Sequence, residues 1–382
     1  MRRRWPRLRI LAVTPYYEPE GGGLERYAHA VLSRLGRAGH DVEVACFAQN
    51  GAVSGERDGV RVSRLPPAVR LSNTPLDWRF PGRLRERIRR LSPDVVVGHG
   101  PVPFPAECAA RAAAAEGVPF VLTYHAGRLL GGSPLLALAA RAHAATLERR
   151  MFGRAARLVA VSRYVRDGVL ASYASRTRVI PPGVDARAFR PSPLPDAPRI
   201  LFAAPLANAY RWKGVDVLWE AFARVRRELP SARLTLVGGG DRLAEFRARA
   251  MCEDGAVEIR GRLSDEEYRR AVAEARVVAL PSVTEAESFG MVLAEANACG
   301  RPVVGSRIGG IPCFVRDGEN GLLARPGDPR DLAEKLLSLL RDRPLAERMG
   351  RAGRAIVERE HDWGALAIET QRVLVEAVDQ DF

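Results

Sequence analysis

Two glutamates with seven residues between them, Glu287 and Glu295, carry the clearest chemical signal in the sequence. Glu287 lies in a polar loop after an apolar run, and Glu295 lies in a helical pattern that Gly300 ends. The first turn of a helix attracts phosphate, because its backbone N–H groups are unpaired and its end carries a partial positive charge. A loop carboxylate can accept hydrogen bonds from sugar hydroxyls, and a helical one can hold a ribose diol. The pattern favours a nucleotide-sugar site. Its predicted helix start comprises Ser288, Phe289, Gly290, Met291 and Val292.

The segment from Glu287 to Val304, ESFGMVLAEANACGRPVV, resembles the signature of glycosyltransferase family 4, a large family with the two-Rossmann fold called GT-B. An isolated glutamate pair at this spacing is typical of a solvent-facing helix. This pair differs from an isolated one, because it lies in a strand, loop and helix in that order and is followed by ACG and PVV. The resemblance implies transfer of a sugar with retention of anomeric configuration and without a bound metal. It assigns Glu287 to the sugar and Glu295 to the ribose.

The resemblance extends to two places in the first half of the chain, a glycine pair and a histidine. Gly22 and Gly23 stand between a strand and a helix, where glycines let the backbone approach a phosphate closely. They are candidates for donor phosphate binding or for an acceptor loop. His125 follows an apolar run, and the resemblance implies that it bonds a sugar hydroxyl or steadies charge at the reacting carbon.

Positive charge for the donor diphosphate is expected from Lys213, in a segment that resembles the Lys-Gly segment of the family. The chain departs from the family nearby. Many members carry Gly-Arg-Leu after the preceding strand, and their arginine contacts diphosphate, whereas this chain has Pro205 in a stretch that reads Ala-Pro-Leu. Arg211, two residues before Lys213, is the hypothetical replacement.

Short apolar runs alternate with helical patterns along the whole chain, which predicts βαβ units and parallel sheets. We therefore expect an α/β protein of the GT-B fold, with two Rossmann-like, doubly wound domains facing each other across a cleft. The predicted parts are an acceptor-side domain at 1–188, a proline-rich linker at 189–198, a nucleotide-sugar domain at 199–360 and a helix at 361–382 that packs back on the first domain. The ten predicted strands are 9–13, 41–47, 94–99, 119–125, 157–162, 199–204, 233–238, 257–261, 277–282 and 302–306.

The formal net charge is +14. Two explanations stay open for it: arginines spread over solvated helix faces, or an anionic membrane surface as a partner. The run at 83–90 holds five arginines and reads as a basic helix face. Five cysteines without CxxC spacing indicate neither disulfides nor zinc, and no apolar run reaches membrane-spanning length. These features predict a cytoplasmic protein, either free or peripheral on the inner face of the membrane.

The sequence thus predicts a retaining glycosyltransferase that uses a nucleotide-diphosphate sugar as co-substrate, with no cofactor and no metal. The expected catalytic residues are His125, Glu287 and Lys213, and Arg211 joins the donor site. UDP, GDP and ADP donors stay open, and the acceptor is a glycan, a glycolipid or a small molecule. The alternatives are a nucleotide-sugar epimerase or a phosphorylase on the same scaffold, or a non-catalytic nucleotide-sugar binder. A nucleic-acid partner is disfavoured, because no recognisable module or set of aromatic platforms accompanies the charge.

Overall fold

A computed structural model describes residues 6–49, 53–71, 74–127 and 142–379, so the ends of the predicted parts at 1–5 and 380–382 lie outside the described residues. The chain divides into two compact units. The first comprises Met1–Pro182 with Trp363–Phe382, and the second comprises Gly183–Asp362. The proline-rich segment 189–198 lies in the second unit, because Leu194 is buried in that unit's core and Phe189 packs against it.

The first unit contains an eight-stranded sheet in the order β10-β9-β8-β7-β1-β2-β4-β3. Every neighbouring pair is parallel except β3 with β4. A separate antiparallel pair, β5 and β6, lies in the chain between β4 and β7. The strands of this unit are β1 Arg9–Val13, β2 Asp41–Phe47, β3 Gly55–Arg57, β4 Val60–Leu65, β5 Val69–Leu71, β6 Thr74–Leu76, β7 Val95–Gly100, β8 Phe120–Tyr124, β9 Arg157–Ala160 and β10 Thr177–Val179.

Helices cover the first sheet, and the last helix of the chain is one of them. Trp363 at its start packs edge-on against Tyr27, with ring centroids 5.4 Å apart. The helices are α1 Gly23–Arg37, α2 Phe80–Leu91, α3 Pro105–Ala115, α4 Arg149–Arg154, α5 Arg163–Asp167 and, at the end of the chain, α13 Trp363–Val378, with a π-helical turn at Ala144–Glu148 and a 3-10 segment at Ala171–Arg176. Among the described residues, no helix is long and apolar enough to cross a membrane.

The second unit is a six-stranded parallel sheet in the order β13-β12-β11-β14-β15-β16. Numbered from its first strand this order is 3-2-1-4-5-6, the order of a dinucleotide-binding Rossmann sheet. Its strands are β11 Arg199–Ala203, β12 Arg233–Val237, β13 Val257–Gly261, β14 Val277–Leu280, β15 Val303–Ser306 and β16 Gly321–Ala324. Its helices are α6 Val215–Glu228, α7 Leu243–Ala250, α8 Asp265–Glu274, α9 Met291–Ala298, α10 Ile311–Phe314, α11 Pro329–Arg341 and α12 Arg343–Glu360, with a 3-10 turn at Asn208–Lys213.

The second sheet reverses its strand order between β11 and β14, its first and fourth strands. Connections from these two strands leave the sheet in opposite directions, so a crevice forms outside their carboxyl ends, and ligands of such sheets bind there. The chain that follows β11 carries Lys213, and the chain that follows β14 carries Glu287. The topology therefore brings two of the predicted site residues to one place.

Candidate active site

A close backbone approach joins the two loops at this crevice. The N–H of Val283 donates to the carbonyl oxygen of Trp212 at 2.8 Å. Gly214 follows with a φ of +80°, and a Cβ atom there would lie 1.8 Å from the carbonyl oxygen of Pro281. Only glycine fits both the left-handed backbone and the contact. Because of this contact, the 3-10 turn that carries Lys213 packs against the loop after β14.

Lys213 and Glu287 form an ion pair in which both side chains are mostly removed from water. The Lys213 Nζ lies 2.6 Å from Oε2 of Glu287, and the side chains are 18% and 7% exposed. The Ser282 hydroxyl donates to the same oxygen at 3.2 Å, and the ammonium lies 4.4 Å from the centre of a Trp212 ring. An ammonium has three donors, so two are left for a ligand. Within the described chain, Oε1 of Glu287 accepts no hydrogen bond, so it is available to a sugar hydroxyl.

Two glycines hold the loop that carries Glu287 from the other side. The N–H of Gly310 donates to the carbonyl oxygen of Glu287 at 2.7 Å. A Cβ atom would lie 1.7 Å from the carbonyl oxygen of Ser288 at Gly310, and 2.2 Å from that of Glu287 at Gly309. Larger residues would displace the loop. The backbone of Glu287 is thus fixed before any ligand binds.

The helix after this loop, α9, begins at Met291, three residues later than the sequence predicts. The reason is Gly290, whose left-handed φ of +88° interrupts the helical path. Phe289 is buried instead, and its ring lies 5.4 Å from those of Phe314 and His361. The helix N-terminus is therefore formed by Met291 and Val292, while Phe289 anchors the loop in the core.

Glu295 lies on α9, buried and bonded to a residue that the sequence does not single out. The Tyr268 hydroxyl of α8 donates to its Oε2 at 2.6 Å. The Tyr268 ring packs edge-on against Phe189, with centroids 6.1 Å apart. No local signal marks Tyr268, because the DEEYRR pattern around it is that of an ordinary solvated helix. The tyrosine fixes the carboxylate that is expected to hold the ribose.

Arg211 lies on the same 3-10 turn as Lys213, but its side chain is 63% exposed and 3.7 Å from Asp216. Asp216 is already bound by Arg242, which donates to both of its carboxylate oxygens at 2.8 Å. These hydrogen bonds hold the pKa of Asp216 below its usual range. Arg242 is buried and was not expected from the sequence. Whether Arg211 replaces the missing family arginine stays a prediction.

In the first unit, α1 begins at Gly23, the second glycine of the predicted pair, and Gly22 is its N-cap residue. The N–H of Gly22 donates to Oε2 of Glu25 at 2.7 Å, and burial raises the pKa of this carboxyl. Gly21, with a φ of +108°, leaves room for the Glu25 side chain, since a Cβ atom there would lie 2.4 Å from its Cγ. A phosphate that binds the Gly22 N–H must displace this carboxylate.

His125 directly follows β8 in the first unit and pairs with a second histidine. Its Nε2 lies 3.0 Å from Nδ1 of His99, at the end of the neighbouring strand β7, and its ring packs edge-on against Tyr27 with centroids 4.8 Å apart. Burial lowers the pKa of His99 to about 3. Burial also holds the pKa of His125 well below its usual range, and repulsion from a protonated His99 lowers it in the same direction. Both rings are neutral at pH 7. No motif in the sequence marks His99.

Two further observations concern metal-ligand residues and the arginine run. Along the described parts of the chain, no three His, Cys, Asp or Glu side chains cluster as metal ligands would. Most of the arginine run on α2 is neutralised by ion pairs: Arg83 with Asp77, Arg85 and Arg89 with Glu116, and Arg87 with Glu43. The run therefore presents less charge than its sequence implies.

Comparisons with known proteins agree with this architecture. The family model described as Glycosyltransferase Family 4 matches residues 21–188, and the model described as Glycosyl transferases group 1 matches residues 197–342. The chain is 30% identical over 374 residues to a GDP-mannose-dependent alpha-(1-6)-phosphatidylinositol monomannoside mannosyltransferase of Mycolicibacterium smegmatis, covering 90% of this chain and 92% of that protein. It is also 30% identical over 420 residues to a D-inositol 3-phosphate glycosyltransferase of Xylanimonas cellulosilytica, covering 98% and 97%.

Among solved structures, Anabaena HepE in complex with UDP matches with a TM-score of 0.77 and 20% identity, over 96% of this chain and 100% of that one. This likeness shows the GT-B fold. Fold and crevice define a protein of the two-Rossmann GT-B class with a ligand crevice in its second unit. The family models and relatives take the assignment one step further: the chain belongs to glycosyltransferase family 4.

Replacing Tyr268 with phenylalanine removes one hydroxyl and keeps the ring packing on Phe189. If Glu295 holds the ribose, its carboxylate loses a fixed orientation, and the dissociation constant of the nucleotide diphosphate rises about fivefold, as for one lost hydrogen bond of about 1 kcal/mol. Isothermal titration calorimetry measures this, with Tyr173→Phe in the first unit as a matched control. An unchanged dissociation constant in Tyr268→Phe would refute the role of the tyrosine.

The buried neutral histidines make stability depend on pH in a defined direction. Below pH about 6.5 the unfolded chain protonates His99 while the folded chain does not, so the free energy of unfolding falls as the pH falls toward 3. Each such histidine makes the free energy of unfolding change by at most about 1.4 kcal/mol per pH unit. Urea unfolding between pH 4 and 6 should show a shallower slope in His99→Gln.

The control for this experiment is His143→Gln, because hydrogen bonding to Glu107 raises the pKa of His143 instead. The contribution of protonated His143 to the free energy of unfolding is fully present below about pH 6. It therefore adds no dependence on pH in that range. Equal slopes in His99→Gln and the parent protein would show that His99 is not held neutral by the fold.

Proposed function

We propose that this glycosyltransferase moves a sugar from a nucleotide-diphosphate donor to a lipid-linked or small-molecule hydroxyl, with retention of anomeric configuration and without a metal ion. The observation that carries the proposal is the ion pair of Lys213 with Glu287 at the switch point of the second sheet. It combines a cation suited to a diphosphate with a carboxylate suited to a sugar, and both are held before the donor binds.

The departing diphosphate gains negative charge as the sugar bond breaks. Lys213 can donate two further hydrogen bonds to it, and the N-terminus of α9 at Met291 and Val292 adds the partial positive charge of a helix. Because this charge is fixed in place, it stabilises the transition state more than the ground state. Oε1 of Glu287 orients the sugar ring through a hydroxyl.

Retention is proposed to follow from attack on the same face as the leaving group. The bond from the sugar C1 to the phosphate oxygen breaks, the bond from C1 to the acceptor oxygen forms, and the departing phosphate takes the acceptor proton. His125 is neutral at pH 7 and fits hydrogen bonding to a sugar hydroxyl. Lys213 supplies the charge that a metal ion supplies to diphosphates elsewhere.

The relatives give the first donors to test. The mycolicibacterial relative is named as GDP-mannose-dependent, and the Anabaena neighbour holds UDP. A GDP-sugar and a UDP-sugar are therefore the two leading candidates. The relative's name also specifies phosphatidylinositol monomannoside, which supports a glycolipid acceptor for this chain.

The test is the anomeric configuration of the product made from an alpha-linked donor such as GDP-mannose. The one-bond coupling between C1 and H1, measured by NMR, should report an alpha product. Turnover should persist in EDTA, because no step is assigned to a metal. A beta product would contradict retention. Loss of turnover in EDTA with recovery on adding magnesium or manganese would contradict metal independence.

A lipid acceptor also requires a surface that meets the membrane, and we propose an anionic bilayer as the partner of the first unit. Trp78 and Leu71 are 72% and 61% exposed, and the Arg79 guanidinium lies 6.0 Å from the centre of a Trp78 ring. Exposed aromatic and aliphatic groups beside arginines suit the interface of anionic lipids.

Sedimentation with vesicles tests this surface. The parent protein should bind vesicles that contain anionic phospholipid, and not neutral phosphatidylcholine vesicles. Trp78→Ala should lower the bound fraction severalfold, whereas Met251→Ala, at an exposed apolar site of the second unit, should not. Equal binding by Trp78→Ala and the parent would exclude this surface.

A further inference from the structure

The two histidines at the carboxyl ends of β7 and β8 leave one ring nitrogen buried without a partner. Nδ1 of His99 lies 3.0 Å from Nε2 of His125, and the rings are stacked at 24° with centroids 5.3 Å apart. The His99 side chain is buried, whereas His125 is half-buried. Among the described residues, Nε2 of His99 has no hydrogen-bond partner. The other nitrogen of His99 therefore makes the one bond that can fix where the protons of the pair lie.

Backbone and packing hold both rings in place. The N–H of His125 donates to the carbonyl oxygen of Gly100, the residue after His99, at 3.0 Å. Tyr27 packs edge-on against both histidine rings, with its centroid 6.4 Å from that of His99 and 4.8 Å from that of His125. The Tyr27 hydroxyl donates to the carbonyl oxygen of Ile180 at 3.2 Å. The distance between the two histidines is thus set by the fold and not by a ligand.

The bond between the rings can be made in two ways, because each ring is neutral at pH 7 and carries one N–H. In the first, Nδ1–H of His99 donates to Nε2 of His125. This leaves a bare nitrogen at Nε2 of His99 and a proton on Nδ1 of His125. In the second, Nε2–H of His125 donates to Nδ1 of His99, which buries an N–H donor at Nε2 of His99 without an acceptor. A buried N–H without a partner is rarer in proteins than an acceptor left unused, so the first arrangement is favoured.

We propose that His99 is a positioning residue that donates its Nδ1–H to His125 and thereby fixes His125 in the tautomer with the proton on Nδ1. The lone pair on Nε2 of His125 is then occupied by His99. His125 presents an N–H donor, which can bond a sugar oxygen but cannot take the acceptor proton as a base. This inference rests on the proposed function, in which the departing phosphate takes that proton, and it gives the reason why His125 does not act as the base of an inverting enzyme.

Heteronuclear NMR of the imidazole nitrogens, on the isotope-labelled full chain at pH 7, tests the tautomer directly. Protonated and bare ring nitrogens have well-separated shifts, and His125→Gln assigns the His125 signals by their loss. His40 is the internal reference: burial lowers its pKa, and its Nδ1 accepts the Leu8 N–H at 3.0 Å, so its proton lies on Nε2. His125 and His99 should show the opposite pattern, with the proton on Nδ1. A His125 proton on Nε2, as in His40, would overturn the proposal.

Two substitutions of His99 separate positioning from packing. The measurement is kcat with GDP-mannose or UDP-glucose, whichever the parent turns over faster. His99→Phe keeps a ring beside Tyr27 but removes the donor, so the His125 proton should distribute over both nitrogens and kcat should fall about fivefold, as for one lost hydrogen bond. His99→Asn should restore most of kcat, because its amide N–H can replace Nδ1–H. His40→Gln, at another buried histidine of the first unit, should keep the parent kcat.

The dissociation constants of GDP and UDP should not change in either His99 variant, because the proposed nucleotide site lies in the second unit. An unchanged kcat in His99→Phe, or an equal loss in His99→Phe and His99→Asn, would overturn the positioning role. The parent spectrum requires no His99 variant, so the tautomer is decided even if His99→Phe does not fold. A beta product from an alpha donor would contradict retention whatever the tautomer of His125, which distinguishes failure of the proposed function from failure of this inference.

Discussion

The ion pair between Lys213 and Glu287 is the interaction on which the rest of the proposed donor site depends. Two charges taken largely out of water are stable only with good geometry, and removing one partner leaves the other uncompensated. The chain secures that geometry through its backbone. Gly214 allows the Lys213 turn to lie on Pro281, and Gly309 and Gly310 allow the Glu287 loop to lie on the chain before α10. Glycine at these positions is thus a requirement of the charge pair.

The loops at the ends of β11 and β12 show how the chain accommodates Pro205 where many family members have arginine. A Cβ atom at Gly238 would lie 1.9 Å from the carbonyl oxygen of Ala204, and one at Gly240 would lie 2.2 Å from that of Leu206. The two loops therefore pack backbone against backbone. With no cation at Pro205, the proposed diphosphate site depends more on the charge of Lys213.

Much of the fold follows from local sequence patterns. The strands Arg9–Val13 and Asp41–Phe47 have the bounds that their apolar patterns predict, because apolar runs are local signals. The strand Val60–Leu65 was not predicted, because only its alternate residues Val60 and Val62 are buried. The strand Gly321–Ala324 was not predicted either.

The candidate site was predictable in part. Glu287, Glu295 and Lys213 stand in motifs that the sequence displays. Tyr268, His99 and Arg242 were missed, because their bonds to Glu295, His125 and Asp216 join residues 26 or 27 positions apart. Such bonds exist only once the sheets form, so no periodicity or spacing marks them. The later start of α9 has a local cause, the left-handed Gly290, which a glycine in the sequence allows but does not dictate.

The central claim is that Glu287 positions Lys213 for the donor diphosphate, and a double-mutant cycle tests it most directly. The dissociation constants of GDP and UDP are measured for the parent protein, Glu287→Gln, Lys213→Met and the double variant. The account predicts that Glu287→Gln weakens binding of the preferred nucleotide in the parent background, because the ammonium loses its fixed position. In the Lys213→Met background the same change should leave binding unchanged or strengthen it, because it removes an unpaired negative charge. Equal effects of Glu287→Gln in the two backgrounds, within about 0.5 kcal/mol, would contradict the account.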